Sequence, residues 1–470
     1  MRKTLAAVLL ALTAPTALAA KLSEDPGVAA RLQVFDAWLS ARVQERELPS
    51  VAIGIVHDGE VLFAKGYGFA DVGKKTPATP KTGYRIGSIT KQFTATAILQ
   101  LRDAGKLQLD DPVVKHLPWF TPKSTHPDSP VITIRHLLSH TSGLPRESAA
   151  AWYWNDLAFP SRDEMVAALA KQETVFPAET KFKYSNLALA IAGEVVATVS
   201  GEPWDRYLAK HVLAPLGMNA TVPLPGRETP GLAVGYGTRR PGRPRAVSGF
   251  VDLKALAPCG DMASSVEDML RWLTFQMTDG ANAVLKPSSV REMHRVQWLR
   301  SWKGGYGLGF GVRHVDEETR YGHTGAVNGF KSALEVSPDS KLAIVVLTNE
   351  DDGHPVEIRD MAFKMVEPAV KRTIASPEPK PVPAGWQRFV GTYEWEGYEV
   401  SVMHLDGELA IVDTTDDDPW EERVRLEPVS ATSFRMTTGG TEGEPVVFEL
   451  DEKGAVKRMT VGDSYYVPKR

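Results

Sequence analysis

Cysteine is almost missing from this chain. Cys259 is the only one in 470 residues, which excludes an internal disulfide and any metal site built on several thiolates. Positive charge is not in excess either: 54 Lys and Arg stand against 58 Asp and Glu, for a formal net charge of −4. Such a balance is unsuited to neutralising a nucleic-acid backbone. Beyond the first residues no apolar run can span a bilayer, since Leu187 to Val199 is broken by Glu194 and Leu342 to Leu347 has strand length. No Gly-x-Ser-x-Gly occurs, so the nucleophile elbow of α/β-hydrolases is absent. His136 and His140 lie four apart without the carboxylates that accompany a zinc helix, and read as loop residues. No metal and no organic cofactor is expected. What is present is ordinary globular composition, 43% apolar and 24% charged, in a chain long enough for two or three domains.

The beginning differs from the rest. Arg2 and Lys3 precede a small apolar stretch from Leu5 to Leu18, and Ala17-Leu18-Ala19 suits a cleavage site, so residues 1–20 read as a secretory signal peptide and the protein as exported, to the periplasm or outside the cell. Val28 to Glu47 carries apolar residues at helical spacing. Two β-rich runs follow, Val51 to Val56 and Val61 to Phe69, around the hairpin signal His57-Asp58-Gly59-Glu60. From Arg85 to about Asn219 the pattern is helical. Strand character returns at Phe330 to Val336 and Lys341 to Asn349, before a helix from about Glu357 to Arg372. Strands at both ends with helices between them predict an α/β unit over 28–373, one sheet drawn from distant parts of the chain with a helical insertion. Ile374 to Gly385 is rich in proline and reads as a semi-rigid linker that few contacts cross, so a chain ending near Arg372 is expected to fold alone. Trp386 to Arg470 alternates in short strands with turns at Asp406-Gly407 and Glu452-Lys453-Gly454, a separate all-β domain of meander or small-barrel type. Asp416-Asp417-Asp418 reads as a solvated loop.

Ser88-Ile89-Thr90-Lys91 opens the apolar stretch Phe93 to Leu101, a buried helix. Three residues on a helix share a face, so the Lys91 amine can meet the Ser88 hydroxyl. A helix start offers free backbone amides to developing negative charge, and a desolvated lysine can act as a base. Tyr184-Ser185-Asn186 leads into the apolar helix Leu187 to Val199: a phenol there can relay protons and an amide can orient a substrate. His323-Thr324-Gly325 precedes the two late strands, where an edge strand can line a cleft and Gly325 would let a substrate approach the backbone. Similar patterns elsewhere fail. Tyr153-Trp154-Asn155 lacks a following apolar helix. Gly68 to Lys75 nearly copies a phosphate loop but lacks the hydroxyl residue after Lys74 and runs into Pro77 and Pro80. Cys259 reads as a small core residue.

With these three motifs in this order the chain resembles the serine β-lactamase and penicillin-binding-protein superfamily, nearest to its branch of class C β-lactamases, D,D-peptidases and esterases. The resemblance runs from about Val28 to Arg372 and takes in Ile134 to Pro145, Tyr306-Gly307-Leu308-Gly309-Phe310-Gly311 and Val345 to Asn349. It implies a β-lactamase/transpeptidase-like antiparallel sheet flanked by helices. It implies Ser88 as nucleophile, Lys91 as the partner that deprotonates it, and Tyr184 as the residue that assists proton transfer to the leaving group. Asn186, His323 and Gly325 would contact substrate, and the backbone amides of Ser88 and Ala326 would form the oxyanion hole. His323 stands where β-lactamases of this branch carry lysine. That departure, with the β tail, points away from a resistance enzyme and toward a secreted peptidase acting on D-amino or cell-wall-type peptides through an acyl-enzyme. A carboxylesterase, a weak β-lactamase and a non-catalytic cell-wall binding protein are the alternatives.

Overall fold

The computed structural model describes residues 21–148, 156–277, 284–315, 317–375, 383, 385–405 and 407–469. The leader expected over 1–20, the Tyr-x-Asn at 153–155, residues 376–382 and 384 of the expected linker, and Asp406 of one expected turn lie outside the described residues.

Both ends of the first unit build its sheet. β1 (Ser50–His57) and β2 (Glu60–Asp71) form the expected hairpin, with β3 (Thr76–Pro77) outside β2. β4 (Tyr84–Arg85) and β5 (Ala263–Ser264) make a separate short ladder. The rest of the main sheet comes from β6 (Trp298–Ser301), β7 (Gly304–Tyr306), β8 (Gly311–Val315), β9 (Glu318–Val327), β10 (Phe330–Ser337) and β11 (Leu342–Thr348). The strand order is β3-β2-β1-β11-β10-β9-β8-β7-β6, and every pairing is antiparallel. β1 and β11 join in register from Val51↔Thr348 to His57↔Leu342, which closes the two ends of the unit on each other.

β1 and β11 read as almost continuous apolar runs because both faces of the sheet are covered. Val51, Ile53, Ile55, Leu342, Ile344 and Val346 face α1 (Pro26–Glu45) and, at the far end of the unit, the helix Pro355–Ala375. Ala52, Val56, Ala343, Val345 and Leu347 join the opposite cluster. That side is filled by the insertion: α2 (Thr90–Asp103), α3 (Val113–His116), α4 (Ile134–Leu138), α5 (Arg162–Leu169), α6 (Asn186–Ser200), α7 (Trp204–Leu208), α8 (Ala257–Gly260), α9 (Val266–Met277) and α10 (Pro287–His294). The Pro355–Ala375 helix, α11, runs into the first residues of the stretch expected as linker.

The C-terminal unit is a closed barrel of β12 (Gly391–Trp395), β13 (Tyr398–Leu405), β14 (Glu408–Val412), β15 (Val424–Pro428), β16 (Ser433–Met436), β17 (Pro445–Leu450), β18 (Val456–Val461) and β19 (Ser464–Pro468). Its interior holds Phe389, Phe434 and Phe448, with Phe389 stacked on Phe448 at 4.4 Å between centroids. Two expectations about this unit need correction. Its contacts with the first unit are not few: Met403, Leu405, Ala410, Val412 and Trp420 share one apolar cluster with α1 and α11. The Asp416-Asp417-Asp418 run is not merely solvated. The Arg42 guanidinium donates to the Asp417 carboxylate at 2.6 Å and to the Asp416 carbonyl at 3.2 Å, and Lys364 pairs with Asp418. Arg31 completes the contact by laying its guanidinium 3.7 Å over the Trp420 ring. A run of like charge is stable here because α1 and α11 present cations to it.

Trp420→Ala is therefore expected to destabilise the whole chain by about 3 kcal/mol, the cost of emptying a buried aromatic site. A denaturant titration followed by circular dichroism checks it, and an unchanged midpoint would show that the barrel is only tethered.

Candidate functional site

Helix α2 is buried nearly all round, so its polar side chains need internal partners. Thr94 donates to the Pro258 carbonyl at 2.7 Å, Gln92 accepts from the Trp272 indole at 3.0 Å, and Phe93 stacks on Trp272 at 3.8 Å. This packing fixes Lys91, whose side chain is wholly buried. A 3-10 turn at Gly87–Ile89 precedes α2 and presents Ser88 at the helix start, partly exposed. Gly87 has φ +53°, and a Cβ there would come within 2.5 Å of the Ala326 backbone nitrogen. Behind the turn, the buried Arg85 pairs with Asp261 and donates to the Val251 carbonyl at 2.9 Å, tying β4 to the end of α8.

The Lys91 Nζ has three partners: Ser88 Oγ at 3.0 Å, Asn186 Oδ1 at 2.9 Å and the Cys259 carbonyl at 2.7 Å. Two of these can only accept. With Asn186 and Cys259 each taking one N–H, the remaining position on the nitrogen is directed at Ser88 Oγ. The Asn186 orientation is itself held, because its Nδ2 donates to both oxygens of Glu147 at 3.0 and 3.3 Å. Burial raises the Glu147 pKa, against the opposing charges of Arg146 and Lys91.

Tyr184 lies with its ring 4.9 Å from Lys91 Nζ and 5.3 Å from the Arg146 guanidinium. Two loops are stitched together to hold it. Ser185 N–H donates to His140 Nδ1 at 3.1 Å, Ser185 Oγ to the Pro145 carbonyl at 2.6 Å, and Asn186 N–H to the Arg146 carbonyl at 2.8 Å. Ser185 also caps α6 by accepting from Ala188 N–H. The stretch Ile134 to Pro145 thus serves as the template for Tyr184 and Asn186.

Strand β9 forms the far wall. β8 pairs with it only as far as Gly322, leaving His323 to Val327 with β10 on one side. Counting from the two-residue turn at Asn328-Gly329, Val327 and Phe330 form the hydrogen-bonded pair, so Ala326 falls in a non-bonded pair and its N–H points away from β10. The Ala326 N–H thus lies on the edge of β9 that faces the turn carrying Ser88. Gly325 lines the cleft, and its missing side chain has a second use. A Cβ there would lie 2.0 Å from the Ile86 carbonyl and 2.3 Å from Ser332 Oγ, so the glycine lets β9 close on the backbone ahead of Ser88.

His323 uses both ring nitrogens. Nδ1 faces the Thr324 carbonyl at 2.5 Å and must carry the proton, which leaves Nε2 to accept from the Tyr306 hydroxyl at 2.9 Å. Burial and the charge of Lys91 push its pKa down to about 4. Burial holds the Tyr306 phenol well above its ordinary range. The expected sites Ser88, Lys91, Tyr184, Asn186, His323, Gly325 and Ala326 therefore come together in one place. The sequence did not single out Arg146, Glu147 or Arg300, and treated His140 as an ordinary loop residue. Tyr306 and His140 left a trace, inside stretches noted as familiar. The Cys259 thiol is pushed up to about 12 by burial, and its carbonyl takes part instead.

These features define a serine-centred site in a cleft of about 980 Å³, lined by Ser88, Tyr184, His323 and Ala326 among others. The model of the Beta-lactamase family matches residues 35–366, and the chain belongs to that family. It is 30% identical over 358 residues to protein flp of Staphylococcus aureus (strain MW2), covering 73% of this chain and 68% of that one. It is also 30% identical over 298 residues to PbpX of Bacillus subtilis (strain 168), whose name places it with the penicillin-binding proteins, covering 63% of this chain and 69% of that one. The octameric penicillin-binding protein homologue from Pyrococcus abyssi shares the fold at a TM-score of 0.64 and 24% identity, across 93% of this chain and all of that one. A crystal structure of SurE matches at a TM-score of 0.59 and 25% identity, across 94% of this chain and 99% of that one. Among the described residues no helix is long and apolar enough to cross a membrane.

Three histidines near or behind the cleft are held neutral by burial: His323 at about 4, His294 at about 3, and His140 well below its ordinary value. Unfolded, each titrates near 6.5. Above that pH both states are neutral and nothing is lost. As pH falls from 6.5 toward 4 the unfolded chain takes up protons that the native chain refuses, so stability declines by about 1.4 kcal/mol per pH unit for each histidine. Urea midpoints measured from pH 7 to pH 4.5 should fall, and the slope should be shallower in His294→Phe, which keeps the stack on Tyr321. Equal slopes in the two proteins would refute this account.

Proposed function

We propose that the chain is an exported serine hydrolase working through a covalent acyl-enzyme on Ser88, with peptides, including D-residue or cell-wall-type peptides, as its preferred substrates. The observation that supports this reading is the wholly buried Lys91, its Nζ held 3.0 Å from Ser88 Oγ by the Asn186 side-chain oxygen and the Cys259 carbonyl. As Ser88 Oγ attacks an acyl carbon, its proton passes to Lys91 and the C–O bond forms. The carbonyl oxygen takes the negative charge between the N–H groups of Ser88 and Ala326. Collapse breaks the bond to the leaving group, which receives a proton on the Tyr184 side. Water then attacks the ester, and Ser88 recovers its proton.

An intact base network speaks against a purely binding protein, since a buried lysine held against a serine serves no recognition purpose. Ester hydrolysis is the second reading, supported by His323, which is neutral and committed to protein partners on both nitrogens. Weak β-lactam turnover would use the same acylation step.

A fluorophosphonate probe should label the wild type on Ser88, located by peptide mapping. Ser88→Ala should lose both labelling and turnover of peptide amides and short esters, with its melting curve unchanged. Full activity in Ser88→Ala, freed of contaminating hydrolases, would overturn the mechanism.

A further inference from the structure

A single amide joins Lys91 to a carboxylate. Lys91 Nζ donates to Asn186 Oδ1 at 2.9 Å, and Asn186 Nδ2 donates to both oxygens of Glu147 at 3.0 and 3.3 Å. Arg146 Nε adds a third contact, to Glu147 Oε1 at 3.2 Å. Among the described residues every hydrogen bond to this carboxyl group comes from a donor, the pattern of an ionised carboxylate. Burial works against that charge, while Asn186, Arg146 and Lys91 support it. The side chain is only 21% exposed, so salt and water screen the charge weakly.

The other titratable groups around Lys91 do not supply such a charge. Tyr184 turns its ring to the amine at 4.9 Å. His140 and His323 are kept neutral by burial, and the Cys259 thiol keeps its proton. Asp261 is committed to Arg85 behind the turn that carries Ser88, and burial pushes its carboxyl up. The acids that line the cleft are engaged elsewhere: Asp351 by Gly329 N–H, Asp352 by Arg245 and Glu357 by Arg46. Arg146, Arg300 and Lys331, which also line it, have the opposite sign.

When Ser88 Oγ attacks, its proton moves to Lys91 Nζ and the freed electron pair forms the bond to the acyl carbon. A full positive charge then stands on a wholly buried amine, which is unfavourable unless an anion lies close. We propose that Glu147 is a positioning residue that offsets this: through Asn186 it supplies the anion that stabilises Lys91 as the amine takes the Ser88 proton. This rests on the acyl-enzyme reading of the same site. It adds to that reading a member whose part is its charge, held one amide away from the base.

The test follows the rate at which a fluorophosphonate labels Ser88 in the full-length protein, across roughly pH 5 to 10. The leaving group is fluoride, which needs no proton from the Tyr184 side, so the rate reports the step between Ser88 and Lys91. Glu147→Gln keeps the shape and one acceptor oxygen but removes the charge. Without a nearby anion the amine releases its proton more readily and is a weaker base. In Glu147→Gln the rate at high pH should therefore fall several-fold, while the midpoint of its rise moves lower by about one pH unit. Glu147→Asp returns the charge on a shorter stem and should bring the midpoint back, even where the rate stays low. Each variant is first shown to melt cooperatively. A folded Glu147→Gln that is slower at every pH with its midpoint unmoved overturns the assignment and leaves Glu147 a merely structural part. So does a wild-type rate that does not rise with pH. A rise set by Asp261 would also stay in place. If the label is not on Ser88, or if Lys91→Met is labelled as fast as the wild type, the hydrolase reading fails and this one falls with it.

Discussion

A lysine side chain buried without water must have every polar hydrogen accounted for, and in this protein Lys91 sets that requirement for its surroundings. Its acceptors come from places far apart in the chain: the Cys259 carbonyl at the end of a short helix, and Asn186 at the start of α6. The amide of Asn186 could turn either way, but Glu147 accepts only, so Nδ2 faces the carboxylate and Oδ1 faces the amine. Removing any one of these groups would leave a donor unmet or send the lysine proton toward Ser88. The surroundings of Ser88 thus follow from how distant segments satisfy one amine.

The rest of the first unit can be understood as the frame for that arrangement. Pairing of β1 with β11 brings the two ends of the unit together, and α9 closes over β1 where Gly54 leaves no Cβ to meet Val266 and Leu270. Strand β9 outlasts its neighbour β8, which frees an edge at His323 to Val327 to face Ser88. Two glycines, Gly87 and Gly325, allow that edge to press on the turn that carries Ser88. Among the described residues the barrel contributes no lining residue to the cleft; it grips α1 and α11 on the opposite face of the sheet through Trp420 and the acidic run beside it.

Much of this was legible in the sequence because it is local. The i, i+3 spacing of Ser88 and Lys91 places them together on any helix, and alternating or continuous apolar runs mark β1, β10 and β11. Tyr184 and Asn186 could be found because an apolar helix follows them. The parts that were not legible depend on contacts between distant segments. Glu147 lies just past the stretch Ile134 to Pro145, and only the fold reveals that it faces Asn186. Arg300 sits between Leu299 and Ser301 with no local pattern, and only the fold brings it over the Phe182 ring. Asp416 to Asp418 looked like a solvated loop because the cations that meet it, Arg42 and Lys364, lie more than forty residues away or near the other end of the chain. Gly325 could be read as a wall of the cleft, but that it also lets β9 approach the Ile86 carbonyl depends on the fold.

The central claim is that Lys91 is the group that receives the Ser88 proton. The most direct measurement is the rate at which a fluorophosphonate acylates Ser88, followed by intact mass in the wild type and in Lys91→Met, which fills the same space without a base. The account predicts a rate in Lys91→Met lower by at least about a hundredfold, the scale of general-base assistance, in a protein that still melts cooperatively. Labelling at the wild-type rate in a folded Lys91→Met would contradict it and would require another base in the cleft.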